Sequence, residues 1–127
     1  MTNRRYVQTN EAPKAIGPYS QGVVMGDLVF LSGQIALVPE TGEMINGSVI
    51  EETAQIFKNI GALLKSQNLT FENIVKATIF LTDMSKFAEV NAEYGKYFPT
   101  NPPARSCVGV ASLPRSAKVE IEIIAGL

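Results

Sequence analysis

"IVKATIFLT", residues 74–82, and "KVEIEIIA", residues 118–125, alternate with the two-residue period of a β-strand, and the composition of their faces decides the fold. Successive strand side chains point to opposite sides of a sheet. Val75, Ala77, Ile79 and Leu81 therefore share one side of the first strand, and Val119, Ile121, Ile123 and Ala125 share one side of the second. The reverse sides read Ile74, Lys76, Thr78, Phe80 and Lys118, Glu120, Glu122, Ile124, too polar for a core and too apolar to stay wholly wet. The apolar sides call for a cover of helices.

Two stretches supply that cover. From about Val49 to Gln67, Ile50, Ala54, Phe57, Ile60 or Gly61, and Leu64 fall on one helical stripe, with Ile56 and Leu63 beside it. Ser48 and Glu51 form a capping box at its start. A second helix is expected from about Lys86 to Phe98, with Phe87, Val90, Tyr94 and Tyr97 on one face and Pro99 ending it. Upstream, "QGVVMGDLVFLSG" holds two β-rich runs broken at Met25-Gly26-Asp27, a hairpin signal. "VPETGE" is a further turn, with Gly42 free to take positive φ. The order is strand, strand, helix, strand, helix, strand, strand, preceded by a short edge strand around Arg4 to Gln8. This is an α+β pattern with a mixed sheet and two helices on one face, spanning 1–127 as a single domain. Two helices cover only one face, so the other is expected to meet another subunit.

Composition narrows the chemistry. The 127 residues are 46% hydrophobic and 18% charged with a net charge of -1, values that give no electrostatic pull toward nucleic acid or anionic lipid. The start "MTNRRYVQTN" has no apolar run behind its arginines, and nothing approaches the roughly 18 apolar residues of a membrane span. The expectation is a cytoplasmic protein with no membrane partner. The chain has no histidine and one cysteine, Cys107, which rules out an internal disulfide, Cys/His zinc sites and histidine-based nucleophilic catalysis. It also lacks a phosphate-binding glycine loop, so no metal and no cofactor are expected. "PPARSCVGV", residues 102–110, sets Arg105 in a small, apolar strand, with Cys107 and Gly109 on its face. A guanidinium there needs a partner, because arginine cannot shed its charge.

"AIGPYSQG", "LSGQIALVPETGE", "VNAEYGKYFP", "PPARSCVGVASLP" and "VEIEIIA" occur in the order and near the spacings of the RidA (YjgF) family, which this chain resembles over nearly its whole length. The resemblance implies a chorismate-mutase-like α+β domain, homotrimeric, with sheets inside, helices outside and clefts between subunits. It implies hydrolysis of reactive 2-imino acids and their enamines, such as 2-iminopropanoate and 2-iminobutanoate, to 2-keto acids and ammonia. Carried over by position, Arg105 would grip the substrate carboxylate and Glu120 would orient the attacking water. Tyr19, Ser32, Gly33, Asn91 and Cys107 would line the cleft, Cys107 through its backbone N–H. Ala36, where many members have proline, and Pro102, where an aromatic often stands, depart from the pattern and bear on the cleft wall.

Read without the resemblance, each of these residues has an ordinary role. Arg105 would be an ion-pair partner of Glu120 or Glu122, Glu120 a solvated strand residue, and Cys107 a small buried hydrophobe. Tyr19 would anchor a loop and Asn91 would face solvent. Lys76 or Lys118 as a Schiff-base lysine has no supporting feature. Two other functions stay open: a ribonuclease or translation inhibitor, as proteins resembling this have been described, and a keto-acid-binding or chaperone-like protein without turnover. The absence of a basic run or an aromatic ladder speaks against the first.

Overall fold

One mixed sheet takes up all six expected strands in the computed structural model, which describes residues 4–127. The strands are β1 (Arg4–Val7), β2 (Gly22–Met25), β3 (Leu28–Leu31), β4 (Ile74–Leu81), β5 (Ala104–Gly109) and β6 (Val119–Gly126), in the spatial order β1-β2-β3-β6-β4-β5. Every neighbouring pair is antiparallel except β4 and β5. Parallel strands need a crossover, and helix α2 (Phe87–Gly95) provides it. Helix α1 (Val49–Lys65) lies on the same face. Gly26 and Gly42 take the positive φ that their turns require.

The core lies between the helices and that face. Ala77, Ile79 and Leu81 of β4 and Val119, Ile121, Ile123 and Ala125 of β6 are buried there, with Val24, Val29 and Leu31 continuing the layer. Phe57 of α1 joins the helices: its ring stacks on Tyr97 at 4.3 Å and meets Tyr94 and Phe98 edge-on. Truncating such a core aromatic costs about 3–5 kcal/mol.

Four expectations need correction. Val75 is 50% exposed and Ile74 is buried, because the β4–β6 register slips between Ile74 and Lys76. A bulge adds one residue to the strand and inverts the alternation before it. On α1, Ile50 is 41% exposed, and the buried stripe runs instead through Val49, Thr53, Ile56, Phe57, Ile60, Leu63 and Leu64. Glu52 and Asn59 share that buried side because each serves the backbone: Glu52 accepts from the Lys118 N–H at 2.9 Å, and Asn59 donates to the Leu37 carbonyl at 2.7 Å. Lys118 also reaches Glu52 and the Gly47 carbonyl with its ammonium, so it belongs to the α1 side and not to the face of Glu120. The helices are also shorter than expected, at Val49–Lys65 and Phe87–Gly95, while the Ser48–Glu51 capping box forms as read.

Between β5 and β6, Arg115 (φ 58°) and Ser116 (φ 57°) are consecutive left-handed residues, neither of them glycine. Each costs roughly 1–2 kcal/mol. Ser116→Gly is expected to gain about 0.5–1 kcal/mol net of glycine's larger backbone entropy, and to raise Tm by about 2–4 °C in calorimetry.

Candidate functional site

The sheet separates the seven expected site residues into two clusters. Arg105 pairs in parallel register with Ala77, and Cys107 with Ile79, so both side chains lie on the helix face. Glu120 pairs with Phe80 on the opposite, open face. Within one protomer Arg105 and Glu120 therefore look in opposite directions. That removes the reading of Arg105 as an ion-pair partner of Glu120 or Glu122.

The first cluster sits at the β5 edge. Arg105, whose place in a small, apolar strand reads as buried, is instead exposed, because β5 is an edge strand with α2 on one side only. Its guanidinium donates through Nη1 to Asn91 Oδ1 at 2.7 Å. The same group lies 4.9 Å from the ring centre of Tyr94 and 5.5 Å from that of Phe87. Phe87, Asn91 and Tyr94 share a face of α2 because residues three and four apart are helix neighbours. The two rings and the amide hold the guanidinium in place and leave it open to solvent. Cationic contacts with aromatic faces at exposed sites contribute about 0.5–1 kcal/mol. Cys107 is half-buried beside it. Burial pushes its thiol pKa up, with Arg105 opposing, so the sulfur stays protonated at neutral pH.

The second cluster lines a cavity of about 590 Å³ that contains Tyr19, Ser32, Gly33 and Glu120. The chain after β3 continues alongside β6, where Gln34 and Ile121 exchange backbone hydrogen bonds at 2.8 and 3.0 Å. This lays Gly33 directly under the Glu120 carboxylate, where a Cβ would collide with Oε2. Ser32 donates its hydroxyl to the Ser20 carbonyl at 2.5 Å, and Tyr19 accepts from the Ile16 N–H at 3.4 Å. Burial, and then the neighbouring Glu122 carboxylate, push the Glu120 pKa above its ordinary value. Gly33→Ala is expected to fold, since only a side-chain end must yield, and to drive the carboxylate outward into water. Carboxyl NMR titration should then find the Glu120 pKa lowered toward the usual range, and an unchanged titration would remove Gly33 from this role.

Sequence reasoning missed three contributors. Gln21 is buried and braces the loop before Tyr19: its Oε1 accepts from the Thr9 N–H at 2.7 Å, and its Nε2 donates to the carbonyls of Thr9 and Pro13 at 3.0 and 2.8 Å. Its signal was a polar residue opening an apolar strand. Phe87 and Tyr94 read as core residues, and their i, i+4 and i+3 relation to Asn91 was the available clue. Ala36, expected at the cleft wall, is fully buried in the core and outside the cavity lining. Among the described residues no group of three or more His, Cys, Asp or Glu is placed to hold a metal ion, and no helix is long and apolar enough to cross a membrane.

A family model described as Endoribonuclease L-PSP matches residues 9–127. Reactive Intermediate Deaminase A, chloroplastic, of Arabidopsis thaliana is 48% identical over 124 residues, covering 98% of this chain and 66% of its own length. The chain belongs to the RidA family. A Mus musculus relative named 2-iminobutanoate/2-iminopropanoate deaminase is 46% identical, covering 96% of this chain and 90% of its own. Among solved structures, E. coli TdcF with bound serine superposes with a TM-score of 0.92 at 41% identity, over 97% of this chain and 99% of that one. The α+β order read from the strand and helix pattern, and the RidA fold that the resemblance implies, are thus the observed ones.

Proposed function

We propose that this protein hydrolyses 2-imino acids such as 2-iminopropanoate and 2-iminobutanoate to 2-keto acids and ammonia, in a homotrimer whose sites form between subunits. The observation that carries this reading is the Arg105 fork: a guanidinium braced by Asn91, Tyr94 and Phe87, yet exposed at a strand edge, is a prepared carboxylate receptor. The deaminase names of the Arabidopsis and mouse relatives, and the serine bound to TdcF, support a substrate of amino-acid shape. Because Arg105 and Glu120 occupy opposite faces of one sheet, a site that uses both draws Arg105, Asn91 and Cys107 from one subunit and Tyr19, Ser32, Gly33 and Glu120 from the next. A cyclic assembly burying the open face, with Phe80 and Ile124, achieves that.

In this site the substrate carboxylate pairs with Arg105 and takes a further hydrogen bond from the Cys107 N–H. Water attacks C2 of the imine, the carbinolamine loses ammonia, and the keto acid remains. Glu120 orients the water and carries protons from it toward the departing nitrogen. A raised pKa suits it to that transfer. No cofactor enters these steps, and the cytosol, where dehydratases and aminotransferases release such imines, is the proposed location.

The test is a coupled assay in which a pyridoxal-phosphate dehydratase generates the enamine and 2-keto acid release is followed with and without the protein. Acceleration supports the deaminase; none from a folded oligomer leaves a keto-acid binder. The family description, Endoribonuclease L-PSP, supplies the second reading. Salt-sensitive RNA cleavage by the same preparation would favour it, against the net charge of -1 and the lack of histidine.

A further inference from the structure

We propose that the Glu120 cavity also carries an anion subsite, formed by Arg115 and Lys14, that favours 2-imino acids whose side chain ends in a second carboxylate. This rests on the deaminase reading above and names the substrate class within it.

Arg115 and Lys14 both line the cavity that holds Glu120. They are its two cations, against one carboxylate. Among the described residues neither takes part in an ion pair or a side-chain hydrogen bond, a condition they share with Lys58, Lys65 and Lys76, none of which lines this cavity. Two unpaired cations facing one cavity are an anion receptor in waiting. The rest of the wall is largely apolar, with Ile35 and Leu37 among its members, while both cations are exposed, so the attraction they exert on an entering carboxylate is screened by salt.

Backbone geometry points the same way. Arg115 is held in left-handed conformation between Pro114 and Ser116, itself left-handed. Strain of this kind persists where surroundings over-determine it, and it gathers at ligand clamps. The segment that bears this strain presents Arg115 to the cavity and leads directly into β6 and Glu120. With the α-carboxylate on Arg105 of the neighbouring subunit and C2 at the Glu120 water, the substrate side chain extends along the wall that bears Arg115 and Lys14. Hydrolysis is unchanged: water oxygen adds to C2, the C2–N bond breaks, ammonia leaves, and the second carboxylate only binds.

The experiment compares kcat/KM for 2-iminosuccinate, 2-iminobutanoate and 2-imino-4-methylpentanoate, each generated by an amino-acid oxidase from its amino acid. Arg115→Asn is the informative variant, because asparagine accepts the left-handed backbone while losing the charge. It is combined with Lys14→Gln, and Arg115→Lys retains the charge. In the native protein 2-iminosuccinate should be hydrolysed at least as efficiently as 2-iminobutanoate. The ratio of the two should fall about tenfold in the double variant, through KM, and fall little in Arg115→Lys. Higher ionic strength should lower the same ratio. A ratio unchanged in the double variant, or a native preference for 2-imino-4-methylpentanoate that the double variant preserves, overturns the subsite and leaves the deaminase standing. Failure of the native protein on all three imines overturns both.

Discussion

Replacing Arg105 by alanine is expected to lower kcat/KM for 2-imino acid hydrolysis about a hundredfold while the protein folds and assembles normally. Hydrogen bonds to a charged group contribute roughly 1.5–3 kcal/mol, and a bidentate carboxylate pair has two, so a hundredfold is a conservative sum after non-additivity. The fold should tolerate the change because Arg105 is exposed on an edge strand, where alanine removes a hydrogen bond to Asn91 and the approach to two ring faces without opening the core. Lysine should rescue poorly, as a point charge does not reproduce a fork held over Tyr94. The measurement is steady-state kinetics beside light scattering. Native turnover from an assembled Arg105→Ala variant would move the carboxylate anchor elsewhere.

For Glu120→Gln the expected loss is at least tenfold in kcat, with binding of unreactive 2-oxobutanoate kept within a few-fold. General acid–base help contributes about 10²- to 10⁴-fold, and imines, which already hydrolyse in water, need the low side of it. The acid limb of the native pH profile should lie above the ordinary carboxylate range, since burial and Glu122 both raise the pKa of Glu120. Glu122→Gln removes the second cause, so it should move that limb toward lower pH and leave the neutral-pH rate nearly unchanged. Stability has the opposite sign. A carboxyl whose folded pKa is raised favours the fold below its unfolded pKa, and that contribution is lost as pH rises through the folded pKa. Glu120→Gln should therefore be slightly more stable than the native protein at neutral pH, by an amount that half-exposure keeps small. Full turnover from Glu120→Gln would return Glu120 to a surface carboxylate.

Much of this was legible in the sequence wherever one period dominated. Val119 to Ala125 alternates without interruption and is buried as read, and the Ser48–Glu51 box starts α1 where expected. Val75 was misread because a bulge has no sequence signature beyond an apolar pair, Ile74-Val75, in which either residue suits the core. Ile50 was misread because hydrophobicity alone cannot reveal that Glu52 and Asn59 are wanted inside to satisfy backbone groups of Lys118 and Leu37. The seven site residues came from a family motif, which carries identity but no direction. Sheet register was needed to learn that Arg105 and Glu120 turn away from each other, and strand order to learn that Arg105 has an open side.

That turning-away has a consequence for how activity depends on the amount of protein. On the proposed reading a lone chain is a silent form, folded and substrate-recognising on two surfaces but unable to bring them to bear on one molecule. Dilution would then extinguish turnover before any melting, and inactive chains could repair one another. Arg105→Ala and Glu120→Gln subunits, dead as separate preparations, would regain about a quarter of native sites when mixed and reassembled at random, since one interface in four would pair an intact arginine with an intact glutamate. Concentration, and not only substrate, would decide when this chemistry is switched on.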